Sequence, residues 1–95
     1  MTTISVIIPS HNRSALLREA VASVYSQTYK DWEIVIVDDA SQSPVDEQAL
    51  RKDFGPNIRL IRNDQPMKLA YAREQGVQAA KGDVVLQLDA HNKSS

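Results

Sequence analysis

Residues 32–39 read Trp-Glu-Ile-Val-Ile-Val-Asp-Asp, which is typical of a buried strand that ends in two carboxylates. Four consecutive β-branched residues without polar alternation indicate a strand covered on both faces, as in a parallel sheet. A similar run from Ile4 to Ile8 ends at Pro9 and predicts another buried strand. Between the two, apolar residues recur at helical spacing after Ser14, a suitable N-cap. The first part of the chain is therefore predicted to be a βαβ unit.

The remainder of the chain alternates between helix and strand signals. Ser43 is predicted to cap a second helix, with Pro44 in the first turn and Asp46 three residues after the cap. Gly82 is predicted to be the exit of a third helix. The second helix is predicted to end at residues 54–56 and the third to run over 68–81. A third strand is predicted over 58–61 and a fourth over 84–88. The order βαβαβαβ predicts one Rossmann-like α/β domain with a mostly parallel sheet and helices on its faces.

Composition narrows the class of protein. The 95 residues are 42% hydrophobic and 24% charged, which suits one soluble globular unit rather than a disordered chain. A net charge of -1 supplies no basic field for nucleic acid, so we expect no nucleic-acid partner. No apolar run is long enough to span a bilayer and no cationic leader precedes the first strand, so we expect no membrane span and no export. With no cysteine present, a cytoplasmic location is the expectation.

Three polar segments follow buried strands of the predicted sheet. They are residues 9–12 (Pro9, Ser10, His11 and Asn12), the pair Asp38 and Asp39, and residues 89–91. In open α/β sheets ligands bind beyond the carboxyl ends of the strands, so these segments are predicted to converge on one binding site. The first turn lacks the glycines of a dinucleotide or P-loop site. The sequence therefore predicts a site that holds a nucleotide through side chains.

The paired carboxylates have two interpretations. Asp38 and Asp39 could accept hydrogen bonds from a nucleobase imide or from ribose hydroxyls, because a carboxylate offers only acceptors. Alternatively, either residue could cap and tighten the loop that follows the strand. Both interpretations stay open at this level.

Asp89 and His91 have the spacing of metal ligands. In an extended strand end, residues two apart point the same way and can share one ion. One oxygen and one imidazole donor favour Mn²⁺, with Mg²⁺ as the second choice. The alternative is a solvated turn near the end of the chain.

Two further polar residues are candidates for the nucleotide site. Arg73, on the predicted third helix, could pair with a phosphate or with a strand-end carboxylate, or it could be a solvated helix charge. His11 could stack on a base or cap the following helix.

Taken in order, these segments resemble one known family. They are Ile4 to Arg13, Ser26-Gln27-Thr28-Tyr29, Glu33 to Ser41, Ala72-Arg73 with Gly76, residues 80–83 (Ala-Lys-Gly-Asp) and Leu88-Asp89-Ala90-His91. The chain resembles family 2 glycosyltransferases with the GT-A fold, over nearly its whole length. It differs from them in having no glycine between Asn63 and Lys68.

The resemblance implies a transferase that moves a sugar from a UDP-sugar to an acceptor hydroxyl. It implies that Pro9 to His11 line the nucleoside site, that Asp39 binds uracil and that Arg73 approaches the nucleoside. Asp89 and His91 would hold the metal on the diphosphate. The Asp-x-His pattern is similar to that of polypeptide N-acetylgalactosaminyltransferases, which implies UDP with Mn²⁺.

Members of that family continue well beyond this motif to an acceptor half, so residues 1–95 are expected to be the nucleotide-sugar-binding portion of a truncated domain. The catalytic base and the acceptor, a saccharide, lipid or protein, are therefore not assigned. An open sheet edge after the fourth strand predicts a homo-oligomer or a missing C-terminal half as its cover. A longer enzyme could also be peripheral at the membrane.

Two other functions remain as alternatives. An inactive nucleotide-binding or interaction fragment would have the same motifs. A nucleotidyltransferase would also use an aspartate-held metal, but it would favour a glycine-rich first loop that this chain lacks.

Overall fold

A computed structural model describes residues 3–12, 14–27 and 31–88 of the chain. The strands and helices follow in the order β1 (Ile4–Ser10), α1 (Ser14–Tyr25), β2 (Trp32–Asp39), α2 (Glu47–Asp53), β3 (Ile58–Asn63), α3 (Leu69–Ala79) and β4 (Val84–Gln87). The strands form one sheet in the order β3-β2-β1-β4, and every pairing is parallel. The predicted α/β order and parallel sheet are confirmed.

The side chains of each strand alternate between the two faces of the sheet, and the helices divide accordingly. On one face, Val6 and Ile8 of β1 form a core cluster with α1 and with Leu50 of α2. Ile7 points to the opposite face, where Gly76 of α3 packs on it. The chain therefore has three layers, with α1 and α2 on one side of the sheet and α3 on the other.

Burial falls sharply from the centre of the sheet to the β4 edge. The apolar residues 34–37 of β2 have no exposed surface. In β4, by contrast, Val84 is 42% exposed, Val85 37% and Leu86 51%. The fourth strand is an open apolar edge in the described part of the chain, as the sequence predicted.

The helices are short. α1 has 12 residues, α2 has 7 and α3 has 11. In the parts of the chain that the structure describes, we find no helix with the length and apolarity to cross a membrane.

The prediction that Ser43 caps α2 was wrong. Asp46 is the N-cap, in an extended backbone conformation, and its Oδ1 accepts a hydrogen bond of 3.1 Å from the Ala49 amide. Ser43 and Pro44 lie before the helix because Asp46 is still extended, and the Val45 amide, between them and the helix, donates to Asp38 at 3.0 Å. The end of the helix at Phe54 agrees with the prediction.

Gly82 is not the exit of α3, contrary to the prediction. The helix ends at Ala79, and Ala80 leaves in an extended conformation. Gly82 instead lies against β1, where an added Cβ would come within 2.6 Å of both the Thr3 carbonyl oxygen and Ser5 Oγ. The glycine is needed for this close approach of β4 to β1.

Candidate functional site

A cavity of about 280 Å³ lies at the carboxyl ends of β1 and β2. The start of α3 and the segment before it form its other wall. The lining residues are Pro9, Ser10, His11, Asp39, Pro66, Lys68 and Ala72. The structure thus brings four of the predicted site residues, those at positions 9, 10, 11 and 39, around one space. Asn12, Asp38 and Arg73 are not among the lining residues.

Ser10, one of the lining residues, carries a buried hydroxyl. Its side chain is 2% exposed, and its Oγ has no hydrogen-bond partner among residues 3–12, 14–27 and 31–88. A buried hydroxyl without a partner costs roughly 1 to 3 kcal/mol.

The turn after β1 is tied to the loop after β2. His11 Nδ1 donates a hydrogen bond to the backbone carbonyl of Asp39, so the ring is held in the tautomer with its proton on Nδ1. The backbone amide of Asn12 donates to Ser41 Oγ at 2.8 Å, and Asn12 Oδ1 accepts from the backbone amide of Gln42 at 2.7 Å. Asn12 has φ 52°, a left-handed conformation that asparagine tolerates. The predicted alternative that His11 caps the following helix finds no support in these contacts.

Asp39 is 7% exposed, and its carboxylate accepts three hydrogen bonds. Oδ1 accepts from Asn63 Nδ2 at 3.0 Å and from the Met67 amide at 2.8 Å, and Oδ2 accepts from the Lys68 amide at 3.1 Å. A carboxylate has about four acceptor positions, so the donors of residues 3–12, 14–27 and 31–88 leave about one of them open. Gln75 of α3 orients Asn63 through two reciprocal side-chain bonds of 2.7 and 2.9 Å.

Asp38 points away from the cavity and has no exposed surface. Its carboxylate accepts hydrogen bonds from the Ser41 amide at 3.2 Å, from the Val45 amide at 3.0 Å and from Arg62 Nη1 at 2.7 Å. Burial by itself raises the pKa of Asp38, but the hydrogen bonds from Ser41, Val45 and Arg62 outweigh it and the pKa lies below its usual value. The geometry favours the loop-tightening interpretation of this residue.

The other predicted residues fall outside this cavity or outside the described residues. Arg73 is partly buried on α3, next to the lining residue Ala72. Asp89 and His91 lie beyond residue 88, where the description ends. Within the described ranges no three His, Cys, Asp or Glu side chains are grouped as metal ligands. The last described residue, Leu88, donates its amide to the Ile7 carbonyl at 2.9 Å.

Sequence reasoning missed the side chains that orient the two aspartates. Arg62 and Asn63 stand beside Asp38 and Asp39 in the register of β3 on β2. The predicted third strand ended at residue 61, so both were left in the following loop. A strand two residues longer would have placed a cation and an amide opposite the carboxylates.

Lys68 is strained, and we expect Lys68→Gly to stabilise the protein. Its backbone has φ 75° and ψ 157°, a region that residues with a Cβ rarely adopt. Such strain costs about 1 to 3 kcal/mol, whereas the extra chain entropy of glycine costs about 0.5 to 1 kcal/mol. The free energy of unfolding should rise by about 1 kcal/mol in urea titrations. Lys68→Ala, the matched control, keeps the Cβ and should give no gain; an equal gain would show that the side chain, not the backbone, was responsible.

Residues 5–94 match the sequence profile of Glycosyl transferase family 2. Among curated proteins, the chain is similar to the O-antigen biosynthesis protein RfbC of Myxococcus xanthus, with 40% identity over 97% of this chain and 8% of that protein. It is also similar to the putative colanic acid biosynthesis glycosyl transferase WcaA of Escherichia coli, with 34% identity over 90% of this chain and 31% of that protein. The chain spans less than a third of either relative.

Two solved structures show the same fold. The mannosyltransferase PcManGT from Pyrobaculum calidifontis, in complex with GDP-Man and Mn²⁺, superposes with a TM-score of 0.75 and 27% identity over 92% of this chain and 27% of that one. A structure of S. aureus TarS has a TM-score of 0.78 over 93% of this chain and 27% of that one, and its 24% identity bears on the fold alone. The predicted GT-A type of fold is confirmed. With residues 5–94 of its 95 matched by the family profile, this chain belongs to glycosyltransferase family 2.

Proposed function

We propose that this chain is the donor-binding part of a glycosyltransferase that uses a nucleoside diphosphate sugar, with UDP as the nucleotide. The observation on which the proposal rests is the cavity of about 280 Å³ beside Asp39, at the carboxyl ends of β1 and β2. In open parallel sheets this is where nucleotides bind. Family membership supplies the class of reaction.

The hydrogen bonds already made by the Asp39 carboxylate support uracil over guanine as the base. Three donors from the described part of the chain bond to its carboxylate, and they leave about one acceptor position open. The imide of uracil presents one N–H, whereas guanine presents adjacent donors on its ring and its amino group. Pro9, Ser10 and His11 line the cavity and would lie against the nucleoside.

Residues that do not line the cavity are proposed to complete the site. Asn12 is proposed to contact the nucleotide, and Arg73 to approach the nucleoside. Asp89 and His91 are proposed to hold a divalent ion, Mn²⁺ in preference to Mg²⁺, because one ligand is an imidazole. Such an ion neutralises the charge that develops on a departing diphosphate. The bound ion in PcManGT supports a metal in this fold.

The proposal is tested by thermal unfolding and calorimetric titration of the chain with UDP and GDP, each with and without Mn²⁺. UDP with Mn²⁺ at 100 times its Kd should stabilise the chain by about 2.7 kcal/mol, because the ligand binds only the native state. UDP alone and GDP with Mn²⁺ should give smaller shifts. No shift with any combination would contradict a donor site, and an equal response to GDP would contradict the preference for uracil.

A matched pair of variants locates the binding site. Asp39→Asn removes the charge beside the cavity and should weaken UDP binding. Asp46→Asn makes the same chemical change at the N-cap of α2, where asparagine caps as well as aspartate. Equal loss of affinity in both variants would show that the cavity is not the site.

The names of the relatives support a polysaccharide context for the whole enzyme. RfbC is described as an O-antigen biosynthesis protein and WcaA as a putative colanic acid biosynthesis transferase. A growing saccharide is therefore the acceptor that we propose for the longer protein. The sugar that is transferred is not assigned.

A further inference from the structure

Strand β2 carries two carboxylates that each pair with an arginine of β3 but lie at opposite ends of the strand. Glu33, near the amino end, accepts hydrogen bonds from Arg59 of β3 at 3.1 Å and from Ser5 Oγ at 2.5 Å. Asp38, at the carboxyl end, accepts from Arg62 of β3 at 2.7 Å. Only Asp38 is close in sequence to the residues that line the cavity.

A chain of hydrogen bonds leads from Asp38 to the turn after β1. The backbone amide of Ser41 donates to Asp38 Oδ1 at 3.2 Å, and Arg62 Nη2 donates to the Ser41 carbonyl at 3.3 Å. Ser41 Oγ in turn accepts the Asn12 amide at 2.8 Å. Ser41 is 4% exposed, so water offers no ready substitute for these bonds.

Both turns that this relay of hydrogen bonds joins have a left-handed backbone conformation at one residue. Asn12 has φ 52° and Ala40 has φ 60°, so each turn includes a non-glycine residue in the left-handed region. Such conformations persist only where surrounding contacts hold them. The bonds through Ser41, and the bond from the Gln42 amide to Asn12 Oδ1, are contacts of that kind.

The position of the turn decides the shape of the cavity. His11, which precedes Asn12, lines the cavity and donates a hydrogen bond from Nδ1 to the Asp39 carbonyl. Ser10 also lines the cavity and sits directly before His11. Ser10 is held by the pairing of β1 with β2, so a shift of Asn12 would move the wall that His11 forms.

We infer that Asp38 is a positioning residue, which with Arg62 holds Ser41 and, through Ser41, keeps residues 11–12 in the conformation that forms the donor cavity. Its carboxylate makes no contact with the nucleotide. The identity of the ligand in this inference rests on the proposed function. The relay, which is the chain of hydrogen bonds from Asp38 through Ser41 to Asn12, does not depend on it. If the cavity forms in only part of the population, the apparent affinity falls by that fraction.

The relay is tested with three variants of the full chain. Asp38→Asn removes the buried charge, and Ser41→Ala breaks the relay while leaving the Asp38 and Arg62 pair in place. Glu33→Gln is the control, because it disturbs an equivalent carboxylate and arginine pair on the same two strands, away from the cavity. Each variant is examined without ligand by amide NMR at Asn12 and Gln42, then titrated with UDP and Mn²⁺ below its melting temperature.

We expect Asp38→Asn and Ser41→Ala to shift the Asn12 amide resonance and speed its hydrogen exchange, and to weaken UDP binding by about tenfold. Glu33→Gln should leave the Asn12 amide unchanged and alter affinity less than about twofold. If Asp38→Asn does not fold, Ser41→Ala alone decides the question.

Three results would overturn the inference. One is an unchanged Asn12 amide in Ser41→Ala, and another is an equal loss of affinity in Glu33→Gln, which would indicate a general effect of stability. The third is weakened UDP binding in Asp38→Asn with the Asn12 amide undisturbed, which would indicate direct contact. If the wild-type chain binds neither UDP nor GDP, the proposed function fails, and the ligand-free NMR still decides whether the relay exists.

Discussion

Replacing Arg62 with methionine is expected to lower the free energy of unfolding by about 3 kcal/mol. Methionine keeps the length of the side chain but removes the charge that faces Asp38 at 2.7 Å. Asp38 has no exposed surface, so water cannot replace the guanidinium. This loss lies at the lower end of the range that is found when a buried ion pair is broken, because the Arg62 side chain is 33% exposed. Urea titration with a two-state fit measures the change.

This loss should shrink as the pH falls. In the wild-type chain burial works against a charged Asp38, but the hydrogen bonds from Ser41, Val45 and Arg62 dominate and keep its pKa below the usual value. A lowered pKa contributes stability that is present above about pH 3.9, the unfolded value, and is lost as the pH falls through the folded pKa. Arg62→Met removes one of these hydrogen bonds and so raises the pKa of Asp38. The free energy of unfolding of the variant therefore falls less on acidification than that of the wild-type chain. A difference in stability that stays constant from pH 7 to the acid transition would contradict the pairing.

The control is an exposed pair of the same chemical type. Arg18 pairs with Asp53 where the two side chains are 45% and 48% exposed. Arg18→Met should therefore change the free energy of unfolding by less than about 1 kcal/mol. If both methionine variants cost the same, burial is not the cause of the larger effect.

The second large effect is expected from Gly76→Ala, which should destabilise the protein by about 2 kcal/mol. Alanine is ordinarily the better helix former by about 1 kcal/mol, so the expected sign is opposite to helix propensity. The reason is that a Cβ at this position would overlap Cγ2 of Ile7, a fully buried side chain of β1. α3 would have to move away from the sheet, and with it Lys68 and Ala72 at the wall of the cavity.

A double-mutant cycle checks the cause of this effect. Ile7→Ala removes the overlapping methyl group and should cost roughly 2 to 5 kcal/mol by itself because it leaves a cavity. Adding Gly76→Ala should then cost much less than it does in the wild-type background. Gln78→Ala, at an exposed position of the same helix, should change stability by less than about 0.5 kcal/mol. Strict additivity of the two buried changes would show that the glycine is not needed for packing.

Much of the fold could be predicted because the signals are local. The runs at residues 4–8 and 34–37 are rich in β-branched residues and predict buried strands, and both strands lie at the centre of the sheet. The spacing of apolar residues after Ser14 located α1 correctly. The errors at Ser43 and Gly82 also have a physical reason. Each residue was interpreted from its neighbours in sequence, whereas Asp38 and β1 determine those two positions in the fold.

The candidate site was only partly predictable. The sequence by itself determined that two aspartates lie at the carboxyl end of β2 and that Pro9 to His11 lie at the carboxyl end of β1, since both depend on where a strand ends. It did not determine that Asp38 is buried beneath the loop while Asp39 faces the cavity. Adjacent residues on a strand point to opposite sides, and each side is defined by what packs on it. The partners Arg62 and Asn63 come from the register of β3 on β2, a pairing between residues 24 positions apart that no local pattern records.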